Sequence, residues 1–257
     1  MIPFFHFTTI PLGPVNLQVW GLMVALGILA ALGVAYLLAK RFDLDGDLFL
    51  DLAVWALVSA LIFARLAYVV FYNMEGALAD PLMVFRVWDG GMSSFGGYLG
   101  AAIGTLIFVR RRKFKLRPYA ELAAFALPLG YGIGRLGCFF IHDHPGILID
   151  CLLSVRFPTG ARLDHGLLLS IVGFAIFAAW LALWKWRGWQ PGADRWRYLP
   201  TLLIVYGLAR FGLDFLRAWD LPSSEPRFLY LLPSQYGGLI LAMVGLWLLN
   251  LNRKHEK

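Results

Sequence analysis

The chain has 257 residues, 60% of them hydrophobic, with a formal net charge of +7 and a mean hydropathy of +0.67. That hydropathy excludes an ordinary soluble domain. The basic residues lie between apolar segments, which excludes a nucleic-acid partner and fits the positive-inside pattern of membrane proteins. The two cysteines, Cys138 and Cys151, suit neither a disulfide framework nor a metal site, and we expect no metal and no cofactor.

Apolar segments long enough to cross about 30 Å of hydrocarbon recur along the chain. We predict an all-α, polytopic membrane protein with about seven transmembrane helices in a single integral-membrane domain, residues 1–257. The predicted spans are 16–38, 48–72, 95–109, 120–140, 166–184, 199–216 and 235–251. Residues 1–15 contain three prolines and are predicted as a non-helical lead-in at the membrane interface. With no charged leader and no cleavage site, the first span is expected to stay in place.

The charge pattern predicts the orientation. Basic clusters at 40–41, 110–117, 185–197 and the C-terminus alternate with connections that together hold only five of the 23 Lys and Arg, so we predict the N-terminus outside and the C-terminus in the cytoplasm. The polar connections 73–94, 139–165 and 217–233 then share the outer side. Residues 150–160 in the second of these have the pattern of a strand hairpin.

Span six carries four polar residues on one helical face. Tyr206, Arg210, Asp214 and Arg217 recur at helical spacing. Charged groups inside a membrane face a partner or water. One interpretation is an interhelical salt bridge that locks the bundle. The other is an anion site, since guanidinium groups suit phosphate and acids are few in the spans.

Residues 130–146 place Arg135 among glycines and end in a polar loop with His142, Asp143 and His144. Histidine suits a general base near neutral pH. A metal site completed by His165 is a weak second interpretation, and a loop that bonds only to itself is the third.

Two further features precede span three. Arg65 lies inside span two, and a glycine-rich turn enters span three at Gly96 and Gly97. Such an entry could present backbone amides to an anion at a helix N-terminus, or it could allow close helix packing. Common hydrolase, NTPase and metalloprotease motifs are absent from the sequence.

Several stretches together resemble the prolipoprotein diacylglyceryl transferase family, in the same order along nearly the whole chain. Residues 64–73 are similar to the family's A-R-L-G-Y-V-x-F-Y-N, and 88–93 to W-x-G-G-M-S. Residues 134–146 resemble the signature G-R-x-G-N-F-x-N-x-E-x-x-G, and 206–217 resemble Y-x-x-x-R-F-x-x-E-x-x-R.

The resemblance implies transfer of diacylglyceryl from phosphatidylglycerol to the cysteine thiol of a lipoprotein precursor with its signal peptide, in the bacterial inner membrane. It implies that Arg135 and Arg210 hold the phosphate and stabilise it as a leaving group. Asp143 stands at the signature's Glu. The full set of candidate substrate-binding residues is Arg65, Tyr68, Gly96, Gly97, Gly146, Tyr206, Asp214 and Arg217.

The chain departs from the family pattern at three positions: Phe95 stands for its loop histidine, Trp20 for its span-one tyrosine and Cys138 for its signature asparagine. Since Phe95 cannot accept a proton, we hypothesise that His142 or His144 supplies the base. The alternatives are a paralogue acting on another headgroup or acceptor, and a catalytically silent phospholipid-binding protein. A small-anion transporter is disfavoured because no repeats are visible.

Overall fold

The all-α, polytopic prediction is confirmed by a computed structural model, which describes residues 1–13, 15–86, 90–193, 195–222 and 224–255. Its helices are α1 (Val19–Arg41), α2 (Gly46–Tyr72), α3 (Met74–Ala79), α4 (Ser94–Arg112), α5 (Leu116–Ile141), α6 (His165–Arg187), α7 (Tyr198–Leu213) and α8 (Pro233–His255). Short 3₁₀ segments follow at Pro81–Phe85 and Asp214–Leu216.

Six helices in the described part of the chain are long and apolar enough to cross a membrane. They are α1, α2, α5, α6, α7 with its 3₁₀ extension, and α8. The third predicted span forms a helix, α4, whose last turn carries three arginines. The count of seven and the orientation of the termini stay predictions.

The chain divides into two compact units, residues 39–116 and residues 1–38 with 117–257. The smaller unit is built on close packing of α2 and α4. A Cβ added at Gly96, Gly100 or Gly104 would collide with the carbonyl oxygens or side chains of α2. Small residues let membrane helices approach closely where the lipid provides no hydrophobic driving force.

In the larger unit, glycines allow the same close approach between three pairs of helices. Gly27 meets Gly130 (α1 and α5), Gly132 meets Gly173 (α5 and α6), and Gly207 meets Gly238 (α7 and α8). At each pair an added Cβ would reach the backbone of the neighbouring helix. The second pair is reinforced by the Ser170 hydroxyl, which donates to the Gly132 carbonyl at 2.8 Å.

One ionisable group in this unit has a capping role. The Glu121 carboxylate on α5 accepts the backbone N–H groups of Arg197, Tyr198 and Leu199 at 3.0, 2.7 and 3.0 Å. These are donors at the start of α7 that have no intrahelical partner. Glu121 thereby fixes the start of α7 against α5, and α7 carries Arg210 at its other end.

Two small sheets complete the larger unit. The lead-in contains a hairpin of β1 (Thr9–Leu12) and β2 (Val15–Gln18), so its non-helical character is as predicted. The connection after α5 forms a three-stranded sheet in the order β3 (Pro145–Leu148), β5 (Gly160–Asp164), β4 (Ser154–Phe157). The predicted hairpin is β4–β5, with Phe157 opposite Gly160.

The chain after α7 is tied to this sheet. The Arg162 guanidinium, almost fully buried, donates to the Asp220 carboxylate (Nη1 to Oδ1, 3.0 Å), to the Gly146 carbonyl (3.1 Å) and to the Thr159 hydroxyl (3.0 Å). Arg217 forms an antiparallel bridge with Gly146. The ends of α5 and α7 therefore lie at the same end of the unit.

The Arg162–Asp220 pair predicts a pH dependence of stability. The hydrogen bond from Arg162 holds the pKa of the Asp220 carboxyl below its usual range. Because the folded-state pKa is lowered, the pair stabilises the protein above the unfolded-state value and is lost as pH falls through the folded-state value, below about pH 4. Asp220→Asn should lower the melting temperature in detergent near neutral pH. That deficit should shrink on acidification, and a deficit that stays constant down to about pH 3 would contradict the assignment.

Candidate active site

Arg135 lies in the C-terminal part of α5, partly buried. Its Nε donates to the Tyr131 hydroxyl at 3.1 Å, and its guanidinium stacks on the Tyr131 ring, 5.2 Å from the centroid. The Tyr206 hydroxyl on α7 also donates to the Tyr131 hydroxyl, at 3.1 Å. Tyr131 accepts both bonds, so its own hydroxyl hydrogen is available to an acceptor. In the described ranges no carboxylate pairs with Arg135.

Arg210 lies one turn beyond Tyr206 on α7 and is buried. Its Nε forms an ion pair with Asp214 Oδ2 at 3.1 Å, whereas its buried Nη1 has no hydrogen-bond partner among the described residues. Arg210 follows Tyr206 by four residues on α7, the spacing at which side chains on a helix are neighbours. The two guanidinium groups thus approach one tyrosine pair from two helices.

Asp214 organises the Arg210 side of the site. Its Oδ1 accepts from His165 Nε2 at 3.0 Å and its Oδ2 accepts from the Ser234 hydroxyl at 2.6 Å, in addition to Arg210. Asp214 and His165 are fully buried. A carboxylate held by three donors from α6, α7 and α8 fixes the direction in which Arg210 points.

The charges at the site do not cancel. Asp214 balances Arg210, and Glu225 balances Arg217 at 2.9 Å, but Arg135 has no acid in the part of the chain that the structure describes. The site therefore keeps a positive charge beside a free guanidinium nitrogen of Arg210 and a free tyrosine hydrogen. Charge-assisted bonds of this kind suit an anion such as phosphate.

The polar loop after α5 separates its two histidines. His142 is buried, with Nδ1 bonded to Asp164 Oδ2 at 2.7 Å. His144 is partly exposed and bonds to its neighbour Asp143 through the Asp143 carbonyl at 2.7 Å. Asp143 is exposed and lines a small cleft with Arg217. The described residues contain no cluster of three metal ligands.

Gly146 has a packing role in the structure. An added Cβ would approach the carbonyl oxygens of Leu216 and Leu163 at 2.8 and 2.9 Å. Glycine at this position lets the segment after α7 pair with β3, which holds Arg217 near the site.

The candidates in the smaller unit have contacts of their own. Arg65 donates to five carbonyl oxygens, those of Met83, Val84, Arg86, Gly90 and Gly91. Tyr68 stacks against the Arg65 guanidinium at 5.6 Å, Gly96 packs on the Phe63 carbonyl, and Gly97 lies beside Ala64. These contacts support structural roles within the unit, and the substrate-binding roles expected of the same residues stay predictions.

Four residues have roles at the site that the sequence did not indicate: Tyr131, Asp164, Ser234, and His165, which was considered only as a possible metal ligand. Tyr131 lies one helical turn before Arg135, which is the spacing of facing side chains and could have indicated it. The other three reach the site from distant positions, as the Asp214–His165 pair joins residues 49 apart.

Two of the three departures from the family pattern lie close together. Cys138 is buried beside Arg135, with Nη1 to Sγ at 3.6 Å, and Trp20 packs against the adjacent Gly137. Phe95 is exposed on α4 in the smaller unit.

This arrangement defines a class of protein: a multi-pass helical membrane protein whose larger unit holds two arginines around a tyrosine pair, with an excess of positive charge. The family model for prolipoprotein diacylglyceryl transferase matches residues 8–251. The chain belongs to that family.

Curated relatives agree with the family match. The phosphatidylglycerol–prolipoprotein diacylglyceryl transferase of Chromohalobacter salexigens is 31% identical, over 82% of this chain and 79% of its own. Enzymes of the same name from Xanthomonas axonopodis pv. citri and Xanthomonas campestris pv. campestris are 31% and 32% identical, each over 95% of this chain and 90% of their own.

Proposed function

We propose that this protein transfers a diacylglyceryl group from phosphatidylglycerol to the thiol of a lipoprotein-precursor cysteine and releases glycerol phosphate. It would act in the bacterial inner membrane, with the precursor held by its signal peptide. The observation that carries the proposal is the position of Arg135 and Arg210 beside the Tyr131–Tyr206 pair, with no carboxylate among the described residues paired to Arg135. The family and the names of the relatives supply the substrates.

The reaction needs a stabilised phosphate leaving group. The thiol sulfur forms a bond to the glyceryl carbon, and the bond from that carbon to the phosphate oxygen breaks, with its electron pair going to that oxygen. Donors already in position where this charge develops lower the barrier. We assign this role to Arg135 and Arg210, with Tyr131 as a third donor and Asp214 as the group that orients Arg210.

The remaining candidate residues have supporting roles near the phosphate site or structural roles in the smaller unit. We propose that Tyr206 positions Tyr131 and that Arg217, paired with Glu225 at 2.9 Å, lies at the edge of the headgroup site. Gly146 keeps Arg217 in place. Arg65, Tyr68, Gly96 and Gly97 shape the smaller unit.

A second candidate function follows from one observation. Phe95 stands where the family carries a histidine, and a phenyl ring cannot take a proton from a thiol. A protein that keeps the phosphate site but lacks a base would bind phosphatidylglycerol without transferring it.

Reconstitution tests the two functions against each other. The purified full chain in phosphatidylglycerol vesicles, given a signal-peptide substrate with one cysteine, should add the mass of one diacylglyceryl group to the peptide. A cysteine-to-serine peptide and phosphatidylethanolamine vesicles are the controls, and neither should give product. Binding of phosphatidylglycerol without transfer would favour the silent protein. Failure of both binding and transfer would reject the phosphate site.

A further inference from the structure

A pocket of about 240 Å³ lies in the larger unit, where α5 ends at Ile141. It is lined by Phe4 and His6 of the lead-in, by His142, and by the β4–β5 turn at Phe157 and Pro158. Phe4 and Pro158 are exposed at its rim. The pocket is mostly apolar, and His142 is the titratable group in its wall that is fully enclosed by protein.

Asp164 fixes the tautomer of the His142 ring. Its Oδ2 accepts from Nδ1 at 2.7 Å, and both side chains are buried. Because a carboxylate only accepts, Nδ1 carries a hydrogen, and in the neutral imidazole Nε2 then carries the lone pair. Nε2 is buried and has no hydrogen-bond partner in the described part of the chain. A buried polar atom without a partner is costly, which points to a ligand that completes the contact.

Asp164 is itself fixed from a second direction. Its other oxygen, Oδ1, accepts the Leu167 N–H at 3.0 Å and caps α6. The carboxylate therefore cannot rotate away from His142 without losing the cap. An acid that orients an imidazole and leaves the opposite nitrogen free is the arrangement used by bases that activate nucleophiles.

The backbone at His142 is also unusual. Its φ of 52° lies in the left-handed region, immediately after α5 ends at Ile141. Residues other than glycine seldom adopt this backbone conformation, because it is strained. Where they do, the surrounding structure holds the backbone in place, often at functional sites. Here the ring is enclosed by Phe4, Phe5, Phe139 and Phe157, with centroid distances of 5.1, 4.8, 5.3 and 5.1 Å.

His142 and Arg135 lie at the same end of α5. Arg135 is in the last two turns of the helix, and His142 directly follows its last residue, Ile141. A base at His142 therefore lies at the end of the helix that carries Arg135.

We propose that this pocket takes the acceptor cysteine and that His142 Nε2 removes the thiol proton, with Asp164 as the positioning residue. The proposal rests on the function proposed above and adds its acceptor site. The proton moves from sulfur to Nε2 as the carbon–sulfur bond forms and the carbon–oxygen bond of the phosphodiester breaks. It then returns to solvent or to the released phosphate. Phe4 forms the wall that the acceptor displaces.

Two variants test the base. Asp164→Asn keeps an oxygen for the α6 cap, but its amide N–H₂ favours the imidazole tautomer with hydrogen on Nε2, so transfer should fall about 10²–10⁴-fold with the fold intact. The transfer rate of His142→Gly should fall by a similar factor, and imidazole added to the buffer should restore part of that rate. The restored rate would distinguish loss of a base from loss of structure. The proposal is overturned if both variants transfer at a rate within about threefold of wild type. It is also overturned if added imidazole restores transfer in His144→Gly but not in His142→Gly.

Crosslinking tests the pocket independently of turnover. In a Cys151→Ser background, a peptide whose cysteine is activated as a mixed disulfide should react with Pro158→Cys at the rim. It should react much more slowly with Leu152→Cys, which is 83% exposed on the same connection but outside the pocket lining. Equal rates at the two positions overturn the acceptor site. Selective crosslinking of Pro158→Cys, together with no transfer by the wild-type chain, would reject the proposed function while supporting the pocket.

Discussion

Arg210→Gln is expected to lower the rate of diacylglyceryl transfer by about 10²–10³-fold, the loss typical of removing one donor to a developing negative charge. Arg210 pairs with Asp214 through Nε at 3.1 Å and keeps Nη1 free. Only a guanidinium can bind both the acid and a phosphate in this way. Arg210→Lys should therefore stay far below wild type, although it keeps the charge.

The measurement is the initial rate of peptide modification at several phosphatidylglycerol contents. Arg156→Gln is the matched control, because Arg156 is an exposed arginine on β4 that lies outside the site. A wild-type rate for Arg210→Gln in folded protein would remove Arg210 from the phosphate site.

Asp214→Ala is expected to destabilise the protein by about 3–5 kcal/mol, the cost of removing one partner from a buried ion pair. The change leaves Arg210, His165 and Ser234 without their shared acceptor. Arg210 would then lose the contact that directs it, and transfer should fall with stability.

Asp214→Glu is the informative control, because the family signature carries Glu at this position. It should keep most of the melting temperature in detergent and much of the transfer rate, since a carboxylate remains available to the same donors. An Asp214→Ala protein with the melting temperature of wild type would show that the three contacts do not stabilise the bundle.

The spans were predictable because apolar length and basic flanks are local properties. Span two, expected at 48–72, forms Gly46–Tyr72, and span five, expected at 166–184, forms His165–Arg187. The shared face of Tyr206 and Arg210 followed from helical spacing in the same way. The predicted face extended to Asp214 and Arg217, but α7 ends at Leu213, so Asp214 lies in a 3₁₀ turn and Arg217 is extended. The β4–β5 hairpin was visible because Pro158, Thr159 and Gly160 give a turn signal between two short strands.

Tertiary contacts were not predictable from these local patterns. The position of Arg65 inside predicted span two suggested a ligand. In the structure, the connection after α2 folds back, and its backbone carbonyl oxygens accept hydrogen bonds from the Arg65 guanidinium. The two loop histidines looked equivalent in sequence. They differ because Asp164, 22 residues away, pairs with His142.

The most direct test is a structure of the protein determined with phosphatidylglycerol bound. The account predicts one lipid phosphate within hydrogen-bonding distance of both the Arg135 and the Arg210 guanidinium groups, beside the Tyr131 hydroxyl. A headgroup bound elsewhere, with Arg135 and Arg210 making no contact to it, would contradict the account.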